Sequence, residues 1–128
     1  MNPIELRSRR EALGLSQGSL ASLLGVSQAA IARWESGGRA IPSTLDEEIA
    51  VQEEIVEQLV DHAVEVLNHA EGEPTTLIVY LHDSELWAAH PEMMGVPAVF
   101  HRVAMARARA MADGPCDLVD GGSDTDQA

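Results

Sequence analysis

The amino-acid sequence predicts a mainly α-helical protein that contains one short strand. Three observations predict this: two short capped helices before Pro42, a long amphipathic helix after it, and one β-branched run in the middle of the chain. A chain of 128 residues can hold a small domain and an interaction region. We therefore divide the sequence into residues 1–43, residues 44–112 and residues 113–128.

Two short helices joined at Gly25 are predicted in the first of these regions. Ser16 stands where the N-cap of a helix is expected, just before an apolar pattern. Gly25 ends this helix, because glycine enters the left-handed conformation at little cost. Ser27 supplies a second N-cap, and the helix that follows has one apolar side, formed by Ile31 and Trp34. The pattern is typical of a helix-turn-helix.

The second of these helices leaves Gln28, Ala29 and Arg33 on its outer side. An amide can bond adenine, a methyl group can pack on thymine, and a guanidinium can bond guanine in the major groove. We therefore predict that these three residues read bases in double-stranded DNA. The alternative is an ordinary surface helix of a helical hairpin, with Gln28 and Arg33 in solvent.

Residues 5–43 resemble the DNA-binding domain of the Cro and lambda-repressor class, the XRE-type helix-turn-helix regulators. The resemblance is carried by Leu15-Ser16-Gln17, Leu20-Ala21, Leu24-Gly25-Val26-Ser27, Ile31 and Trp34-Glu35-Ser36-Gly37. It implies a lambda-repressor-like helical domain that binds DNA. It further implies contacts to DNA phosphates from Gln17, Ser27, Ser36 and Arg39. Similar repressors also pair the positions of Arg10 and Glu35 in a semi-buried salt bridge, which implies a structural role for both.

The chain departs from this class just after Gln17, where glutamates are usual and this sequence has Gly18 and Ser19. A glycine inside a helix costs about 1 kcal/mol relative to alanine. We therefore expect the start of this helix to be loose until DNA holds it.

Charge is divided unevenly along the chain. Residues 1–43 hold five arginines and three glutamates, whereas the rest holds three arginines and eighteen acids, within a total of −13. DNA attracts the first region and repels the second, so the C-terminal part is expected to point away from the duplex. The single cysteine, Cys116, excludes a disulfide within the chain, and no apolar run is long enough for a membrane span. A cytoplasmic protein is expected.

A long helix after Pro42 is predicted to make a homodimer. Apolar residues recur along it with spacings of four and three, as in a helix that packs against a partner helix; they include Leu45, Ile49, Val56 and Leu59. Packing inside one subunit is the alternative. The β-branched run at about residues 75–82 reads as one strand, and since we find no comparable second run, Leu77 and Val79 are expected to pair with the same strand of another subunit.

Short helices are expected after this strand, so that residues 44–112 form a helical dimerisation region. Residues 113–128 are acidic, rich in glycine and poor in apolar side chains, and are expected to be a disordered tail. The order of elements in the whole chain is weakly similar to that of small phage and bacterial autorepressors such as the anti-CRISPR-associated regulators. That similarity implies homodimerisation and repression of a promoter near the protein's own gene.

The sequence gives little support for catalysis or a cofactor. It contains no Gly-rich phosphate loop, nucleophile elbow, HExxH motif or cysteine pair. His62, Glu65 and His69 share one helix face, but scattered histidines on amphipathic helices are more often surface or packed residues than metal ligands. We therefore predict a homodimeric repressor of an inverted-repeat operator. The alternative is an antitoxin-like protein whose acidic half binds a second polypeptide and whose DNA binding is autoregulatory.

Overall fold

The structure, a computed structural model, describes residues 1–122. Its elements are α1 (Pro3–Ala12), α2 (Gln17–Leu24), α3 (Gln28–Ser36), α4 (Leu45–His69), β1 (Thr75–Val79), α5 (Asp83–Ala89), a 3-10 helix (Pro91–Met93), α6 (Ala98–Ala110) and β2 (Cys116–Asp120). The mainly helical fold predicted from the sequence is confirmed. No helix within these residues combines the length and the apolar composition that a membrane crossing requires.

Two compact units make up the chain, one spanning Met1–Glu54 and the other beginning at Ile55. The boundary falls inside α4. Leu45 and Ile49, near the start of α4, are 2% and 0% exposed and belong to the first unit. This unit therefore extends past the expected boundary at residue 43.

The ends of α2 and α3 are fixed by the residues that the sequence pattern indicated. The Ser16 hydroxyl accepts a hydrogen bond from the Ser19 amide at 3.0 Å, and Ser27 accepts one from Ala30 at 3.1 Å. Gly25 ends α2 in the left-handed conformation, with φ at 71°. An N-cap of this kind stabilises a helix by about 1 kcal/mol. These contacts give the turn between α2 and α3 its geometry.

An arginine of α1 fixes the start of α4. The Arg9 guanidinium donates to Glu53 from Nε at 3.1 Å and from Nη2 at 2.6 Å, and it also pairs with Asp46. Both carboxylates lie on α4. Apolar side chains from all four helices and the loop after α1 form the core of this unit: Leu6, Leu13, Leu15, Leu20, Ala21, Ile31, Trp34, Leu45 and Ile49.

The second unit is built on a two-stranded parallel sheet. Strand β1 pairs with β2 so that Thr75 lies opposite Cys116 and Val79 lies opposite Asp120. Parallel strands need a long crossover, which here is made of α5, the 3-10 helix and α6. Helix α6 contacts both strands, and its Ala104 and Ala108 are fully buried. Small side chains at these positions let the helix approach the sheet closely.

Strand β2 corrects two expectations. The predicted disordered tail at residues 113–128 is wrong for Cys116–Asp120, which form this strand, while residues 123–128 lie outside the described residues. The expectation that β1 has no partner strand in its own chain is also wrong, because β1 pairs with β2. Buried and exposed side chains alternate along β2, as is typical of a strand, but the acidic composition concealed this pattern in the sequence. Cys116 is 8% exposed, Leu118 is half-buried, and Asp117 between them is exposed.

Most residues expected at a dimer interface are core residues of the single chain. Those with 8% exposure or less are Leu45, Ile49, Val56 and Leu77. Leu59 and Val79 are half-buried. These four side chains therefore contribute to the cores of the single chain, and they have little exposed area left for a second copy.

All three arginines of the second unit have partners within it. Arg102 donates to the carbonyl of Tyr80 at 2.6 Å, and Arg109 donates to the carbonyl of Cys116 at 2.7 Å. Arg107 pairs with a glutamate of α4 at 2.8 Å. Residues 55–122 contain eleven acidic side chains beside these three arginines, so this part of the chain has a net negative charge.

A buried histidine on α6 makes the second unit sensitive to pH. His101 is 5% exposed, and its Nδ1 has no hydrogen-bond partner within residues 1–122. Its ring lies 6.0 Å from that of Tyr80 and 6.1 Å from that of His90. Burial lowers the pKa of His101, and the neighbouring His90 lowers it further. Folded His101 is therefore harder to protonate than an ordinary histidine.

We expect the free energy of unfolding to fall as the pH drops below about 6.5, the ordinary pKa of histidine. Below that pH the unfolded chain binds a proton at this histidine more readily than folded His101 does, at a cost of up to about 1.4 kcal/mol per pH unit. Urea unfolding of the full chain at pH 7.5 and pH 5.5 measures this loss. His101→Phe should reduce the difference, whereas His62→Gln, at an exposed position of α4, should leave it unchanged. An equal pH dependence in wild type and His101→Phe would contradict the assignment.

Candidate nucleic-acid interface

Helix α3 presents the residues expected to read bases on its exposed side. Gln28, Ala29 and Arg33 are all exposed. The opposite side of the helix is held by Ile31 and Trp34, which are 0% and 5% exposed. The outer side is therefore free to enter a groove while the inner side keeps the helix in place.

The side chain of Gln28 lies over the start of α2. Its Oε1 is 3.3 Å from the position that a Cβ on Gly18 would occupy, and its Cδ is 3.8 Å from that position. The Gln28 amide has no hydrogen-bond partner within residues 1–122. Its donors and acceptor therefore remain available for a base edge.

A hydrogen-bonded ion pair joins the three helices of this site. Arg10 on α1 donates to Glu35 on α3 from Nε at 2.7 Å and from Nη2 at 2.9 Å. Its Nη1 donates to the carbonyl of Leu15 at 2.9 Å, and Gln17 on α2 donates to Glu35 at 3.2 Å. The pair expected from the resemblance is thus present with two parallel hydrogen bonds, the strongest geometry for arginine and a carboxylate.

The pair is withdrawn from solvent. The side chains of Arg10 and Glu35 are 10% and 5% exposed. The hydrogen bonds from Arg10 hold the pKa of the Glu35 carboxyl below its ordinary value, although burial acts in the opposite direction. The lowered pKa means that the pair stabilises the fold above about pH 4.3 and loses this effect as the pH falls further. Solvent screens such a pair much less than it screens a surface pair.

The residues expected to contact phosphates differ in what they can still donate. Gln17 uses one amide N–H on Glu35 and retains a second. Ser27 uses its oxygen as an acceptor within α3, so its hydroxyl proton remains free. Ser36 instead donates its hydroxyl proton to the carbonyl of Arg33 at 3.1 Å. Ser36 therefore shapes the end of α3, and Arg39 beyond it is exposed.

Three of the five arginines in the first unit form ion pairs with carboxylates of the same unit. Arg7 pairs with the glutamate four residues later, Arg9 pairs with two carboxylates of α4, and Arg10 pairs with Glu35. The guanidinium groups of Arg33 and Arg39 have no such partner within residues 1–122. This unit contains no lysine or histidine. Its unpaired side-chain cations therefore lie on α3 and in the loop that follows it.

The comparison with known families agrees with this geometry. Residues 6–45 match the family model described as helix-turn-helix. Residues 6–45 are an XRE-type helix-turn-helix domain. The match covers α2, the turn at Gly25 and α3, which are the elements that carry the exposed side chains described above. No curated protein has significant similarity to the chain.

This helix-turn-helix match supports a DNA-binding transcriptional regulator. The family is one of DNA-binding regulators and not of enzymes. Among residues 1–122, no three histidine, cysteine, aspartate or glutamate side chains are placed to hold a metal ion, and this includes His62, Glu65 and His69 on α4.

Two residues of this domain have contacts that the sequence pattern did not reveal. Gly18 stands out in the sequence as a departure from the class, but the pattern gave no reason to connect it with Gln28. Arg9 belongs to a cluster of arginines that favours DNA, yet two carboxylates of α4 hold it. The acidic residues in the first turn of α4, which include Asp46, were a sequence signal for the contact between Arg9 and this helix.

Glu35→Ala should destabilise the domain by about 3 kcal/mol, because it leaves the charge of Arg10 buried without its partner. Urea unfolding at pH 7 measures the change. Glu11→Ala is the matched control, since it removes the partner of Arg7 in a pair whose side chains are 60% and 56% exposed. Such a surface pair contributes less than about 1 kcal/mol. Equal losses in the two variants would show that burial does not strengthen the Arg10–Glu35 pair.

Proposed function

We propose that this helix-turn-helix protein is a homodimeric transcriptional repressor that binds an inverted-repeat operator near its own gene. The observation that carries the proposal is the exposed side of α3, where Gln28, Ala29 and Arg33 have free polar or methyl groups while the opposite side is buried. A helix with this division of its surface suits the major groove.

Each residue of this surface has a distinct part in the proposal. Arg33 bonds a guanine with two parallel hydrogen bonds, Gln28 bonds an adenine in the same way, and the methyl group of Ala29 packs on a thymine. The side-chain donors of Gln28 and Arg33 support these parts, because no side chain within residues 1–122 competes for them.

Phosphate contacts in this proposal come from Arg39, Ser27 and the second amide N–H of Gln17. Arg39 is exposed and unpaired, and Ser27 keeps its hydroxyl proton. These contacts fix the register of the domain on the duplex without reading its sequence. We assign no phosphate contact to Ser36, because its hydroxyl donates within the turn after α3.

An inverted repeat needs two recognition helices about 34–36 Å apart, which two copies of the chain supply in this proposal. The second unit offers an exposed apolar surface for this contact. Ile78 and Val119 lie opposite each other on β1 and β2 and are 51% and 45% exposed, and Leu81 beyond β1 is 60% exposed. The half-buried Leu59 and Val79 remain as further candidates. Parallel sheets are normally covered on both faces, which favours a partner here.

The same exposed side chains support a second candidate, an antitoxin-like role. A unit that combines an acidic surface with exposed Ile78, Leu81 and Val119 fits a basic partner polypeptide as well as a second copy. DNA binding then regulates the expression of the pair.

Selection of the purified chain against random duplex DNA, followed by sequencing, tests the proposal. We expect an enriched inverted repeat. Arg33→Ala should lose its preference at one symmetric pair of positions, by about 1–3 kcal/mol for each contact. Arg7→Ala is the control, because Arg7 pairs with a carboxylate on α1, and it should enrich the same sequence as the wild type.

Enrichment of no sequence by a folded wild-type protein would contradict sequence-specific binding. Enrichment of a single half-site by a monomer would contradict the homodimer. A stoichiometric second polypeptide that co-purifies with the natural protein would favour the antitoxin-like role.

A further inference from the structure

We infer that Gly18 is a positioning residue that sets the base preference of Gln28, an inference that rests on the proposed function above. The amide of Gln28 occupies the space that a side chain at position 18 would fill, since its Oε1 lies 3.3 Å from a Cβ built on Gly18. The absence of a side chain on α2 therefore decides where the amide on α3 lies.

The backbone gives no other reason for this glycine. Gly18 is the second residue of α2 and does not have a positive φ, unlike Gly25 with its φ of 71°. Glycine forms helices less readily than alanine does, so the position carries a cost without a conformational need. The close approach of Gln28 supplies the reason.

No hydrogen bond within residues 1–122 fixes the Gln28 amide. Gln17, the nearest amide along α2, is itself bonded to Glu35 at 3.2 Å. The space left open at Gly18 therefore affects which positions the Gln28 amide can take. An amide must lie in the plane of its base to make two hydrogen bonds with adenine, so a displacement weakens both bonds together.

Side chains of increasing size at position 18 should displace the amide progressively. An alanine Cβ at 3.3 Å from Oε1 requires a shift of the amide by a few tenths of an ångström. A leucine side chain is larger and should displace the amide further. Both residues favour helix more than glycine does, so both variants should fold and should be more stable to heat than the wild type.

The test compares base preferences from random-duplex selection for the wild type, Gly18→Ala, Gly18→Leu, Gln28→Ala and the double variant Gly18→Leu/Gln28→Ala. Ser8→Ala is the control, because it raises helix propensity at an exposed position of α1 without changing α2. Circular dichroism establishes that each variant is folded.

We expect Gln28→Ala to lose a discrimination of about 5- to 150-fold at one symmetric base pair. Gly18→Leu should lose most of it at the same base pair and keep the preferences elsewhere, and Gly18→Ala should lose less. The double variant should match Gln28→Ala, because a residue that acts through Gln28 has no further effect once that amide is gone. Ser8→Ala should match the wild type.

Three results would overturn the inference. A Gly18→Leu variant that keeps the full wild-type preference would show that position 18 does not place Gln28. A loss that is equal at every base pair, or one that remains in the Gln28→Ala background, would assign Gly18 a general structural role. A wild type that enriches no sequence would refute the proposed function itself, and the inference with it.

Discussion

The ion pair between Arg10 and Glu35 is the interaction on which the DNA-binding unit depends. It joins α1 to α3, and through Gln17 it also holds α2, so that a single carboxylate connects all three helices. A buried pair with two parallel hydrogen bonds has few alternative geometries. The position of α3 relative to α2 is therefore fixed before DNA arrives, and the exposed face of α3 is presented in one orientation.

Ion pairs within the first unit limit which arginines can contact DNA. Arg7, Arg9 and Arg10 are neutralised by carboxylates, which leaves Arg33 and Arg39 as the unpaired side-chain cations of residues 1–54. The second unit adds an acidic surface that DNA repels. Such a protein gains little from general attraction to phosphates. Under the proposed function, its affinity for DNA then depends on base contacts, and weak non-specific binding leaves more of the protein free for its operator.

The sequence predicted the helix-turn-helix well because its signals are local. Ser16, Gly25 and Ser27 each act within one turn of the chain, and the spacing of Ile31 and Trp34 shows which side of α3 is buried. The second unit was harder to predict, because β2 has a long-range partner and an acidic composition that hides its alternating pattern. The contact between Gly18 and Gln28 and the ion pairs of Arg9 also join different helices, and no local pattern reveals which arginine meets which carboxylate.

The salt dependence of operator binding tests most directly whether three of the five arginines in residues 1–54 stay paired with carboxylates when DNA is bound. The logarithm of the binding constant falls with the logarithm of the salt concentration in proportion to the phosphates that are neutralised. Two unpaired arginines per copy predict a slope of about −2 to −4 for a dimer, and Arg39→Ala should make it shallower by about 2. A wild-type slope of about −9 would mean that all five arginines of each copy engage phosphates, which would contradict the account.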